Sequence, residues 1–209
     1  MSGLSASSTD ASSEAAHRIG PNAVLQLIET LHDHQEDALA GDVFRRAGAG
    51  AWLLEPPEEM IGQEDVARVH GALWDLVPID VARDRAREAG LRTGDYILAH
   101  RIPKPAQTLL RLLPAPLAAR ALCKAISAHA WTFAGSGEFD YAFEDVLRLR
   151  ITANPIALRH SPQPDCVWHV AVFERLFSRL VHPETHVIEV ACTALGDPAC
   201  VFEVRFGTA

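Results

Sequence analysis

Apolar residues recur at helical spacing through the first half of the chain and at strand spacing through much of the second. After Pro21, the positions Val24, Leu25, Leu27, Ile28 and Leu31 form one stripe, which predicts a helix opening near that proline. A second helix is predicted over residues 35–47, closed by Gly48. The pattern breaks at Pro56-Pro57 and resumes over residues 63–76, amphipathic through Val66, Val69, Leu73 and Leu76. Beyond Pro78, two helices are expected at 79–88 and 94–100, with Gly90 as the stop between them. Pro103, Pro105, Pro114 and Pro116 bracket a short helix over 106–113, whose Leu109, Leu110, Leu112 and Leu113 are expected to be buried or to face a ligand. A longer helix, 117–129, carries Leu122, Cys123 and Ile126.

The period changes after His129-Ala130-Trp131-Thr132-Phe133 and the small-residue turn Gly135-Ser136-Gly137. Residues 139–143 and 146–152 alternate as a hairpin closed near Glu144-Asp145, with Leu147, Leu149 and Ile151 on one face and Arg148 and Arg150 on the other. A helix over 166–181 follows, then strands over 186–193 and 200–206 joined at Gly196-Asp197-Pro198. These elements predict an α+β fold, a four-stranded antiparallel sheet with helices packed on one face. The helical residues 19–124 and the sheet-bearing residues 125–209 have no Gly-rich linker between them, so they are expected to be subdomains sharing a core. Residues 1–18, rich in Ser and Ala, read as a disordered tail. Apolar outer faces on the helices would suit a homodimer.

Length and charge narrow the classes. A chain of 209 residues can bury about 70% of its extended surface. The formal net charge of −8 argues against nucleic acid and against a purely electrostatic hold on anionic membranes. No apolar run approaches a bilayer span, and no secretory signal pattern is present, so a cytoplasmic location is expected. There the cysteines would be thiols or metal ligands rather than disulfides.

Three of the four cysteines fall near the end of the chain, at Cys166, Cys192 and Cys200, with Glu189 three residues before Cys192. The terminal hairpin brings Cys192 and Cys200 nearly opposite each other. Cys166 opens a helix, where the dipole and free N–H groups stabilise a thiolate. Three thiolates and a carboxylate form a closed set suited to zinc. Glu189 and Cys192 are an odd number of residues apart, so a bulge or the end of the strand must intervene if both bind one ion. The alternative is three small buried residues that only pack.

The pattern E-x-x-C-T-A-x-G-D-P-x-C-x-F, with Cys166 upstream, resembles the vinyl-4-reductase domain family. In its phenol-sensing members this spacing holds a structural zinc, which implies Cys166, Glu189, Cys192 and Cys200 as ligands here. The segments HAWTFAGSGEFDY and AHRIPKPAQTLLRLLP resemble the family's branch in bacteriochlorophyll biosynthesis of purple bacteria, historically labelled 4-vinyl reductase. That resemblance implies a porphyrin ligand and a place near the photosynthetic membrane.

Redox machinery is thin. Gly135-Ser136-Gly137 is a lone GxG, and no nicotinamide, flavin or iron–sulfur signature accompanies it. A non-catalytic carrier of a magnesium-porphyrin intermediate, passing it between the magnesium chelatase and the following methyltransferase, suits the residues better. The alternatives are the divinyl-to-monovinyl reductase itself and a small-molecule sensor. A flat macrocycle needs an apolar slot with aromatic walls. Trp131, Phe133, Phe139, Tyr141, Trp168, Phe173 and Phe177 are the wall candidates, and His129, then His169, the polar contacts. Each of these residues has a plain structural role as its alternative. Arg148 and Arg150, or Arg101 and Lys104, could meet the pigment's carboxylates.

Overall fold

The computed structural model describes residues 17–157 and 163–207. Most of the expected tail lies outside that range. Its last two residues are held: the His17 carbonyl accepts from Gln63 N at 3.0 Å, and Arg18 pairs with Gly62 where β1 (Arg18–Ile19) meets β2 (Ile61–Gly62).

The helices α1 (Asn22–Asp33), α2 (Asp37–Arg46) and α3 (Gln63–Leu76) bury their apolar stripes through Val24, Leu27, Leu31, Val43, Phe44, Val66, Val69 and Leu73. Next comes α4 (Ile79–His100), one helix of 22 residues. The expected stop at Gly90 is therefore wrong. Gly90 and Gly94 lie on the side of α4 that faces α8 (Val167–Leu180). A Cβ at Gly90 would stand 2.4 Å from the Trp168 carbonyl oxygen and 2.7 Å from Ala171 Cβ; one at Gly94 would stand 2.6 Å from Arg175 Cβ. These glycines exist for backbone approach, and the remaining turns of α4 carry the helix through them.

Two shorter helices, α5 (Lys104–Leu112) and α6 (Ala115–Ala128), each follow a proline in extended conformation, and α7 (Trp131–Ala134) adds one turn. Leu110 packs against the core, but Leu109 and Leu112 are 60% and 77% exposed, contrary to the burial expected of this leucine run. Cys123 is fully buried in α6 as a core residue, and burial pushes its thiol up to about 12.

The sheet consists of β3 (Glu138–Phe143), β4 (Leu147–Thr152), β6 (Ala199–Arg205) and β5 (His186–Ala191), in that spatial order, every neighbouring pair antiparallel. The register sets Phe139 opposite Ile151 and Ile151 opposite Cys200, and likewise Tyr141, Leu149 and Phe202 in a row. Those rows face α8, and one continuous core joins them to α1–α4. The opposite sheet face carries Arg148, salt-bridged to Glu203 at 3.1 Å and to Glu144, and Arg150, 3.9 Å from Asp140. The α+β arrangement matches the sequence-based expectation.

The α4–α8 crossing yields a paired test. Gly71, inside α3, has nothing within 4 Å of the point where a Cβ would stand, so Gly71→Ala should raise stability by up to about 1 kcal/mol through helix propensity. Gly90→Ala gains the same propensity but should lower stability by about 1–3 kcal/mol net, because backbone must move. Thermal unfolding of the two variants, measured side by side, checks the opposite signs.

Candidate metal centre and the adjoining aromatic cluster

Three elements converge at one end of the sheet. Cys166 caps α8, and its backbone N–H donates to Glu189 Oε2 at 3.0 Å. Glu189 sits on β5, where the pairing with β6 slips between Glu189 and Ala191. That bulge, followed by the end of the strand, is the irregularity the odd spacing required, and it turns Cys192 toward the same side as Glu189. Thr193–Leu195 then form one 3-10 turn, Gly196 takes the left-handed conformation with φ +92°, and Asp197 Oδ2 accepts from Cys192 N at 2.8 Å. Cys200 follows on β6.

The result is compact. The sulfurs of Cys166 and Cys200 are 3.3 Å apart, Cys166 and Cys192 3.6 Å, and Cys192 and Cys200 3.9 Å. With a carboxylate oxygen of Glu189, all four donor atoms lie within 4.8 Å of one another. The three cysteines are buried.

The electrostatics are those of a cluster that needs a cation. Hydrogen bonds from Cys166 and Cys192 hold the Cys200 thiol far below its ordinary range. The same contacts, chiefly that with Cys192, push Cys166 well above it. Cys192 is lowered by its bond with Cys166, but Cys200 and burial outweigh this and push it up to about 12. Burial, as the leading cause, lifts Glu189 to about 7. Glu189 Oε1 is buried without a hydrogen-bond partner. Such an atom in a closed site calls for a ligand that is neither backbone nor side chain. The set could hold a divalent metal that accepts thiolate.

Sequence reasoning missed the supporting residues. Asn154, 1% exposed, donates Nδ2 to the sulfurs of both Cys166 and Cys200 at 3.4 Å, while its Oδ1 accepts from Ile156 N at 3.1 Å. Thr193 Oγ1 lies 3.4 Å from the Cys200 sulfur. Asn154 stands outside every spaced motif, two residues beyond the end of β4, so only the folded hairpin brings it to the sulfurs.

The predicted ligand residues divide into groups. Phe133, Phe139, His169 and Phe173 meet in one aromatic cluster, joined by Phe202, with ring centroids 5.4–6.3 Å apart. Trp168 stands edge-on to His169 at 4.9 Å. Tyr141 pairs with Phe143, and Phe177 with Phe206, further along. Trp131 is 61% exposed, and His129 is exposed with Nδ1 2.9 Å from the Ala125 carbonyl oxygen of its own helix. Because Cys166, His169 and Phe173 occupy one face of α8, and Cys200 and Phe202 one face of β6, the sulfur cluster and the ring cluster are neighbours in the same layer. An open depression of about 610 Å³ lies elsewhere, at the β3–β4 turn beside Phe206, and contains none of these predicted residues.

Comparison with known proteins gives the class first: residues 147–206 match the vinyl-4-reductase domain. The chain is 51% identical over 192 residues to the bacteriochlorophyll synthase 23 kDa chain of Cereibacter sphaeroides, covering 90% of this chain and 91% of that one. It is 43% identical over 186 residues to the protein of the same name from Rhodobacter capsulatus, covering 88% and 85%. The chain belongs to the family of the bacteriochlorophyll synthase 23 kDa chain. Its fold is similar to a solved structure from work on heme distortion in the H-NOX family, with TM-score 0.58 and 12% identity over 91% of this chain and 96% of that one. Among the described residues no helix is long and apolar enough to cross a membrane.

His169 gives this layer a pH signature. The ring is 1% exposed, both nitrogens lack hydrogen-bond partners, and burial lowers its pKa from 6.5 to about 4. In acid the unfolded chain therefore binds a proton that the folded chain refuses, and stability falls as pH drops from 6.5 toward 4. His169→Phe should remove about 2 kcal/mol of the difference in unfolding free energy between pH 7.5 and pH 5. Urea titrations at the two pH values measure it.

Proposed function

We propose that the protein is a non-catalytic tetrapyrrole-binding accessory protein of bacteriochlorophyll synthesis, built on a structural zinc. The carrying observation is the near-full-length similarity to the bacteriochlorophyll synthase 23 kDa chains. The H-NOX fold likeness agrees in kind, since those relatives are described by their heme.

Zinc would be held by Cys166, Cys192, Cys200 and Glu189, and would supply folding energy as a fixed cross-link between α8 and the last hairpin. The sulfur separations of 3.3–3.9 Å bracket the spacing of about 3.8 Å that tetrahedral Zn–S bonds of about 2.3 Å require. Glu189 Oε1, buried without a partner, is the free donor such an ion needs. Asn154, bonded to two of the sulfurs, would orient them.

The pigment site we assign to the ring cluster and its margin: Phe133, Phe139, Tyr141, Trp168, His169, Phe173 and Phe177, with His129 and Trp131 at the exposed junction of α6 and β3. The rings touch one another, so a macrocycle would enter from that junction and part them. His169, with two unmet ring nitrogens, then offers a polar contact in an apolar wall. Arg101 and Lys104 are better placed than Arg148 to meet ring carboxylates, because Arg148 is already bound to Glu203 and Glu144. The residue ranges 19–124 and 125–209 would act as one body, and the magnesium chelatase and the following methyltransferase are the partners this role implies.

Two measurements test the reading separately. Elemental analysis should find about one zinc per chain; Cys192→Ser should lose it and unfold at markedly lower temperature, and metal-free protein with an unchanged melting temperature would remove the zinc. Titration with magnesium protoporphyrin should give a saturable Soret shift with tryptophan quenching. His169→Phe or Phe133→Ala should weaken that binding about tenfold or more. A linear, unsaturable response in the wild-type protein would end the pigment reading.

A further inference from the structure

Between Asp95 and Glu138 the chain contains no acidic residue, although its net charge is −8. The same stretch holds five cations, Arg101, Lys104, Arg111, Arg120 and Lys124, which include both lysines of the protein. Elsewhere arginines are mostly neutralised by carboxylates, as in the pairs Arg85–Glu36, Arg87–Glu174, Arg92–Glu88 and Arg148–Glu203. Among the described residues none of these five has a carboxylate partner. Arg111 donates to the Arg179 carbonyl and to Gln107, Arg120 stands 4.7 Å over the Phe143 ring, and Arg101 lies 5.8 Å from the Tyr96 ring centroid.

Exposed leucines accompany the cations. Leu109 and Leu112 are 60% and 77% exposed, and Leu117, at the start of the next helix, is 52% exposed. On α5 the positions Pro105, Leu109 and Leu112 form one row, and Lys104, Thr108 and Arg111 the row beside it. Arg120 and Lys124 sit one turn apart on α6 beyond Leu117. The buried side of the hairpin is fixed separately: Gln107 donates to the carbonyls of Leu98 and Ile102 at 2.5 and 2.8 Å, and Ala118, Ala119, Leu122 and Cys123 are buried. The outward leucines are thus not needed to attach the hairpin to the body.

We propose that the α5–α6 hairpin is a docking surface for anionic phospholipid, with Leu109, Leu112 and Leu117 entering the headgroup boundary and Lys104, Arg111, Arg120 and Lys124 facing the phosphates. A short amphipathic helix pair with leucines flanked by cations is the pattern that lies in a membrane interface. The unpaired positive charges select an anionic surface, and the acidic remainder of the chain keeps the other faces away from it. Interspersed leucines distinguish the patch from a nucleic-acid surface, where cations alone would suffice. The surface gives the location expected near a membrane a physical basis, and it stands whether or not a pigment binds.

The test is co-sedimentation of the full-length protein with vesicles of phosphatidylcholine alone and of equimolar phosphatidylcholine and phosphatidylglycerol. Binding is expected on the phosphatidylglycerol vesicles only, and should weaken as salt rises. It should fall by about tenfold or more in Leu109→Gln/Leu112→Gln, and again in Lys104→Gln/Lys124→Gln. Leu54→Gln, which alters an 87% exposed leucine far along the chain, should bind as wild type. All these positions are exposed, and matching circular dichroism and melting temperatures confirm the fold of each variant. Binding to neither vesicle, equal binding to both, or full retention in the double variants overturns the proposal. So does concentration-dependent dimerisation abolished by Leu109→Gln/Leu112→Gln without vesicle binding, which would assign the face to a second copy of the chain. Failure of the magnesium-protoporphyrin titration leaves this result untouched.

Discussion

Backbone meets backbone where α4 crosses α8, and everything in the functional layer follows from that approach. Gly90 and Gly94 remove the two side chains that would hold the helices apart. With α4 seated, α8 is pinned from behind by the helical half and presents its other face to the sheet. That face carries Cys166, His169, Phe173 and Phe177 in order. A shift of α8 along its axis would therefore misalign the sulfur cluster and the ring cluster together. The helical residues contribute no donor to the cysteine cluster, yet they set its geometry.

The two clusters solve different problems of burial. Rings lose little on leaving water and gain contact with one another. Sulfur and carboxylate do not: three thiols and Glu189 in a closed corner push one another's protonation in opposite directions, and one carboxylate oxygen finds no donor. A cation resolves that conflict at a stroke, which is why the donor set reads as a metal site even before any ion is considered. His169 is the exception in the apolar cluster, an imidazole given neither water nor a partner.

How much of this was legible in the sequence depended on the range of the interaction that decides each feature. The strand pairs and the terminal hairpin could be read directly, because period-two alternation and the Gly196-Asp197-Pro198 turn are local. The need for an irregularity between Glu189 and Cys192 also followed from parity alone, and β5 supplies it. Gly90 misled because a glycine in a helical run signals a stop unless another backbone lies against it, and that neighbour is some eighty residues away in the chain. Asn154 and Phe202 escaped for the same reason: each acquires its role from strands that pair only in the folded sheet. The leucines of α5 were expected inside because their number was read without their phase; Gln107 and Leu110 face inward, and Leu109 and Leu112 are left outside.

The slip in pairing at Glu189 has a further effect on what the molecule can join. β5 is an outer strand of the sheet, and its Ile188 and Val190 are 44% and 49% exposed. A flat edge of that kind is an invitation to ribbon-like growth by strand addition. The bulge breaks the even ladder of free amides and carbonyls within six residues, and the chain then curls away into the 3-10 turn. The kink that gathers the sulfurs thus also blunts the sheet's margin, leaving helices rather than strands as the surfaces through which this protein can associate.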